Sequence, residues 1–288
     1  MSRINDLSVK IYRMLFVLPP AASLGLLRRR LKGEQAREQP PLPHPIDSHY
    51  GIDTSGNMGP EELRVGSSAD IYQVSYGGSQ PSIIRRALGL IPDIERSVFL
   101  DLGCGKGRAL AVASEFPFRR LIGVELAPVL VRIAQANADR LRQRYPERPP
   151  IRVEEGNAAT TRLPDGQVVV YFFHPFFRGL MKRVLANLEA AVTSGSVGKL
   201  FIVYYNPVYA ELYDSSPVFQ RYFADNLDYD AEEIGTGASF HDRNDAVAIW
   251  QSQGGAMAPP RTGATAGIEI VPPGWRARVV NYTSGRKG

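Results

Sequence analysis

Apolar and polar positions follow two periods along this chain. Short, nearly continuous apolar runs recur at 98–102, 121–125, 150–154, 167–173 and 199–205. Runs of that length predict strands, and unbroken ones such as Val168 to Phe173 predict strands buried on both faces. Between them the pattern lengthens to a helical period over 106–115, 128–144 and 176–191. Phe177, Leu180, Met181, Val184, Leu185 and Leu188 fall on one helical stripe, and Pro128 suits a first helical turn. Strand–helix alternation of this kind predicts an α/β fold with a mostly parallel sheet and right-handed crossovers. Past residue 206 the signal thins. Residues 245–251 and 275–282 read as strands, and 252–274 between them is a Gly-, Ala- and Pro-rich irregular insertion.

The strand over 98–102 runs straight into Gly103, Gly105 and Gly107, with Asp101 just before them. Glycine admits positive φ and lets another molecule approach the backbone without a Cβ in the way. A strand–loop–helix corner also offers free N–H groups. D-x-G-x-G-x-G after an apolar strand therefore predicts a ligand cradle more than a simple turn. A dinucleotide site would need G-x-G-x-x-G; the spacing here is G-x-G-x-G, and Lys106 and Arg108 do not complete that fingerprint. Glu125, at the end of the next strand, can accept two hydrogen bonds from a ribose diol, or is a solvated strand-end acid. His174-Pro175-Phe176 follows the most apolar strand, at the mouth of the expected cleft. A neutral imidazole there can accept a hydrogen bond, act as a base, or only cap the next helix. Tyr50, Asp53, Thr54 and Ser55 sit in or beside a loop bounded by Gly51 and Gly56. That loop can fold over a ligand, or be an ordinary Asx or Ser/Thr turn.

Residues 101–107 resemble motif I of the class I S-adenosylmethionine-dependent methyltransferases. The resemblance implies a Rossmann-like, seven-stranded sheet with helices on both faces, closed by an antiparallel hairpin that 245–251 and 275–282 are expected to form. It implies S-adenosylmethionine as cofactor, its methionine end wrapped by Gly103, Cys104, Gly105 and Gly107 and met by Asp101, directly or through water. It places Glu125 on the ribose. Asn157 and Ala158 fall at the adenine, where the family usually has Asp. It puts His174, Pro175 and Phe176 where related enzymes carry Asn-Pro-Pro-Tyr against the methyl acceptor. "HYGIDTSGNM" (49–58), "SQPSIIRRALGLIP" (79–92) and "VYYNPV" (203–208) are similar to a group of bacterial class I methyltransferase-like proteins, some of them described as similar to Dot1-type lysine methyltransferases. In that setting Tyr50, Asp53, Thr54 and Ser55 are candidate substrate contacts, and the acceptor is an unidentified group, a nitrogen of a protein or small molecule among the choices. The departures at Asn157 and His174 keep a second class open: a methyltransferase fold that binds cofactor or a partner without turnover.

Composition narrows the rest. One cysteine, Cys104, excludes an internal disulfide framework, and the four histidines lack metal-ligand spacing, so no metal is expected. The net charge of +5 is concentrated at the ends. Residues 1–38 carry eight Lys/Arg and three acids, and 274–288 carry four and none, which leaves −4 for 39–273. That average argues against a nucleic-acid groove on the body. Residues 11–27 are apolar but contain Arg13 and Pro19-Pro20, too broken for a spanning helix or a signal peptide. Peripheral membrane contact through 9–32 is compatible with this, as is a cytoplasmic location. The expected organisation is a basic, apolar extension with a Pro-rich linker over 1–46, then a methyltransferase domain over 47–288 with a cap segment at 47–92.

Overall fold

A computed structural model describes residues 43–59, 62–63, 76–173, 176–234, 236, 243–254, 257–271 and 276–281. The chain enters through two short helices, α1 (Pro45–Tyr50) and α2 (Pro81–Leu88), each opened by proline. Alternating elements follow: β1 (Ser97–Leu102), α3 (Arg108–Ala113), β2 (Arg120–Glu125), α4 (Pro128–Arg144), β3 (Ile151–Glu155), β4 (Gly166–Phe173), α5 (Arg178–Thr193) and β5 (Val197–Tyr205). After α6 (Ala210–Asp214) come β6 (Phe219–Asp228), β7 (Asn244–Ser252), β8 (Gly267–Val271) and β9 (Arg276–Val280).

Seven strands form one sheet in the order β3-β2-β1-β4-β5-β7-β6, and β8 and β9 pair separately. β3, β2, β1, β4 and β5 are parallel; β7 is antiparallel to β5 and to β6. Every residue of β1 is buried, as the unbroken apolar run requires. One sheet face packs Phe99, Val169 and Val203 against α2, α3 and α4; the other packs Leu100, Val170 and Ile202 against Leu180, Met181, Val184, Leu185 and Leu188 of α5. Asp101 lies opposite Gly123 and Tyr171, at the carboxyl ends of the central strands. That is where a doubly wound sheet binds ligands.

The closing hairpin differs from expectation. β7 covers the predicted 245–251, but its partner in the sheet is β6, and 276–280 pairs with 267–271 instead. β6 escaped notice because a bulge between Arg221 and Phe223 breaks its alternation. The supposedly irregular insertion contains β8 and is stitched to β6 and β7: Arg261 N donates to Tyr222 O at 2.7 Å, and Gln251 and Ala258 exchange two bonds. The extension through residue 42, with the membrane contact proposed for 9–32, lies outside the described residues. Among the described residues no helix is long and apolar enough to cross a membrane, and no His/Cys/Asp/Glu group could hold a metal ion.

Candidate functional site

The loop between β1 and α3 turns on three left-handed residues, Gly103 (φ 81°), Gly105 (φ 56°) and Gly107 (φ 83°). Its N–H groups are already engaged. Those of Gly103 and Cys104 donate to Val124 O at 2.8 and 3.1 Å, that of Gly107 to Cys104 O, and that of Gly105 to Glu125 Oε2 at 3.0 Å. The sequence pattern led us to expect free donors here, and there are none at these four positions. A pyrophosphate would therefore find no backbone cradle in them. Cys104 fills space beside Gly123, where a Cβ would come within 2.8 Å of its Sγ. Burial pushes its thiol well above the ordinary range, so it is inert packing.

Glu125 holds the loop to β2. Its Oε1 accepts from Leu126 N at 2.8 Å and Ala127 N at 2.9 Å, while Oε2 takes Gly105 N. Burial raises its pKa, and these three backbone donors oppose the rise. Three of roughly four acceptor sites on the carboxylate are thus filled by the protein, leaving one for a ligand hydroxyl.

Asp101 is different. It is 3 % exposed, and no hydrogen bond or ion pair satisfies its carboxyl among the described residues. Burial, and secondarily the charge of Glu125, push its pKa well above the usual carboxylate range. A buried polar group without a partner is costly. A ligand that brings a cation to this point removes that cost.

Two cations that the sequence pattern left without a role build the opposite wall. Arg108, at the first position of α3, is 6 % exposed. It donates from Nε to Thr54 Oγ1 at 2.7 Å, from Nη2 to Thr54 O at 2.8 Å and from Nη1 to Ser79 O at 3.4 Å. No carboxylate pairs with it among the described residues. Lys106 Nζ reaches Asp53 Oδ1 at 2.9 Å and Ser55 O at 2.6 Å. Asp47 accepts from Thr54 N at 3.0 Å, Thr54 Oγ1 at 2.5 Å and Ser55 Oγ at 2.5 Å. Asn137 clasps the same loop, exchanging bonds of 2.9 and 2.7 Å with the Asp53 backbone and donating to Lys106 O. Tyr76 closes the corner: its OH donates to Thr54 O at 2.7 Å, and a Cβ on Gly105 would lie 2.4 Å from its ring.

The structure thus brings Asp53, Thr54 and Ser55 to the glycine loop, with their polar groups committed to the protein itself. Tyr50 is elsewhere. Its OH donates to Glu115 at 2.5 Å, beyond the far end of α3, and its ring packs edge-on to Tyr145. Asn157 Oδ1 accepts from Ala159 N at 2.9 Å, an Asx turn after β3 that buries Ala158. Phe176 is partly buried against the α5 side of the sheet. His174 and Pro175 lie outside the described residues. Arg108, Asp47, Tyr76 and Asn137 were missed as site residues. One signal was available: a cation at the first position of a helix opposes the helix dipole, and such a local conflict marks a residue with another role.

An unpaired carboxyl on one side of the loop and an unpaired guanidinium on the other suit a zwitterion such as an amino-acid end. They do not suit a pyrophosphate, which would face Asp101. Residues 99–195 match a methyltransferase domain family. No curated protein matches the sequence. Among solved structures, TrmN from Thermus thermophilus is 17% identical over 62% of this chain and 50% of its own, with a TM-score of 0.44. An RNA methyltransferase from Salinibacter ruber in complex with S-adenosyl-L-homocysteine is 15% identical over 65% of this chain and 99% of its own, with a TM-score of 0.40. The StiE O-MT segment is 18% identical over 49% of this chain, which spans about half (52%) of that segment, with a TM-score of 0.36. None of these bears on what this chain acts on. The strand order and the three-glycine loop accompany that match: residues 99–195, about a third of the chain, are similar to a methyltransferase domain and lie within a Rossmann-like sheet.

Proposed function

We propose that this protein methylates an acceptor held at the carboxyl ends of β4 and β5, with the cofactor's amino-acid end clamped between Asp101 and Arg108. The bound cofactor supplies a methyl group on a sulfonium, already activated for in-line transfer, so the protein's task is proximity and orientation. In this reading Asp101 takes the ammonium, and Arg108 turns its unused N–H groups to the carboxylate. Glu125 offers its remaining acceptor site to the ribose, and Asn157 and Ala158 border the adenine. The segment containing Asp53, Thr54 and Ser55 works as a wall that positions Arg108 and Lys106 and excludes water. His174, which follows β4 in the sequence, is the candidate to orient the acceptor or take its proton.

The observation that carries this is the buried carboxyl of Asp101 without a partner, beside a loop in which the N–H groups of Gly103, Cys104, Gly105 and Gly107 are already engaged. Calorimetry with S-adenosylhomocysteine and labelled transfer from S-adenosylmethionine into a cell extract test it. Binding with transfer supports the reading, binding without transfer leaves a cofactor-binding protein, and absence of binding removes the proposal.

A further inference from the structure

The net −4 of residues 39–273 conceals a strong segregation of charge. Residues 116–152 carry eight arginines (119, 120, 132, 140, 142, 144, 148 and 152) against three acids, Glu125, Asp139 and Glu147. α4 collects four of them on its outer side. Arg132, Arg140, Arg142 and Arg144 are exposed, while Leu130, Val131 and Leu141 are buried and Val129 and Ile133 half-buried. Arg142 is paired with Asp139 at 2.9 Å, but no carboxylate pairs with Arg132, Arg140 or Arg144 among the described residues.

These three recur at spacings of eight and four residues, on neighbouring ridges of the helix. Arg148 continues the row past the helix end, its guanidinium 3.9 Å from the ring centre of Tyr145 and 5.1 Å from that of Tyr50. The middle of the row adjoins the cofactor loop. Arg140 Nη1 bonds Asn137 Oδ1 at 3.2 Å, and Asn137 donates to Lys106 O at 2.9 Å.

We propose that this row is a track for the phosphate backbone of an RNA acceptor, leading a single strand along α4 toward the transfer site. The inference rests on the methyltransferase reading and names its acceptor class. Three features favour RNA over an anionic membrane. No large apolar residue of α4 is fully exposed, Val129 and Ile133 being half-buried, whereas a membrane-lying helix presents an open apolar face. Arginines four residues apart stand about 6 Å apart along the axis, in file rather than as a diffuse patch. The stacked and half-buried Arg148 and Tyr145 offer planar groups of the kind that receive unpaired bases. Averaging charge over the whole body is what hid this face.

Fluorescence anisotropy of the full chain with a labelled single-stranded RNA tests the proposal, over salt of about 50 to 200 mM. Four arginine–phosphate contacts predict a slope of about −3 in log affinity against log salt. R140E/R144E is expected to lower affinity roughly tenfold or more and to flatten the slope by about 1.4. K182E/R183E makes the same charge change on α5, across the sheet, and is expected to have a clearly smaller effect. If the glutamates unfold the chain, R140Q/R144Q replaces them with the same expected direction. Equal losses from both faces overturn the proposal, because net charge alone is then being read. Binding to phosphatidylserine vesicles that R140E/R144E abolishes, without RNA binding, overturns it in favour of a lipid surface. S-adenosylhomocysteine binding, measured on the same samples, separates the two failures: retained cofactor binding without RNA binding sinks the track alone.

Discussion

Replacing Asp101 by asparagine keeps the shape of the side chain and removes its ability to carry charge. In the ligand-free protein this carboxyl is buried, unpaired and held well above its usual range by burial, then by Glu125. Its folded pKa is therefore above its unfolded value of about 3.9. The cost of the charged form appears as pH rises past that unfolded value, so D101N should melt above the wild type at neutral pH and match it in acid. Ligand binding should move the other way. A charge-assisted hydrogen bond contributes about 1.5–3 kcal/mol, so D101N should weaken S-adenosylhomocysteine roughly ten- to a hundredfold. Bringing an ammonium to Asp101 also lowers its pKa, so the wild type should release a proton on binding and bind more tightly as pH rises toward the raised pKa of the free carboxyl. Calorimetry in two buffers of different ionisation enthalpy reads that proton directly. Identical apparent enthalpies for the wild type, or a D101N variant that both melts lower and binds normally, would refute the assignment.

Three further substitutions separate the parts of the site. R108A should weaken S-adenosylhomocysteine by about 1.5–3 kcal/mol while leaving 5′-methylthioadenosine, which lacks the amino-acid end, within a few fold; equal losses for both ligands in calorimetry would show only that the wall had collapsed. E125A should weaken both ligands and also lower the melting temperature, because Gly105, Leu126 and Ala127 lose their acceptor; the denaturant midpoint checks the second part, at about 1–3 kcal/mol. G105A should destabilise by driving a Cβ into the Tyr76 ring, and a double-mutant cycle with Y76A should recover part of the loss, since the two side chains would be in direct contact.

The parallel half of the fold was legible because its central strands are buried on both faces and its helices carry one apolar stripe each. Both patterns are local. Partner choice is not, which is why 276–280 was recognised as a strand and assigned to the wrong sheet. The glycine loop was legible as a cradle, because positive φ restricts residue type. Which of its N–H groups stay free depends on Val124 and Glu125, whose distance from the loop no linear pattern gives. Thr54 and Ser55 were singled out for their polarity and lie at the site. Their work is to hold Arg108 and answer Asp47, a division that only the folded contacts reveal.

The outer strand β6 has consequences for assembly. Asn226 presents its side-chain amide to Val279 as a strand would present backbone, donating at 2.8 Å and accepting at 3.0 Å. The turn around Gly263 sits so close to Ala224 O that a Cβ there would lie 1.8 Å from it. The second contact, with the bond from Arg261 N to Tyr222 O, covers backbone acceptors of the kind an open sheet edge offers to another chain, and the first flanks them. A second copy could not extend the sheet from this side without first prising off the β8–β9 hairpin. Strand-by-strand growth, the usual hazard of an antiparallel margin, is closed off here by a segment whose sequence looks like mere filler.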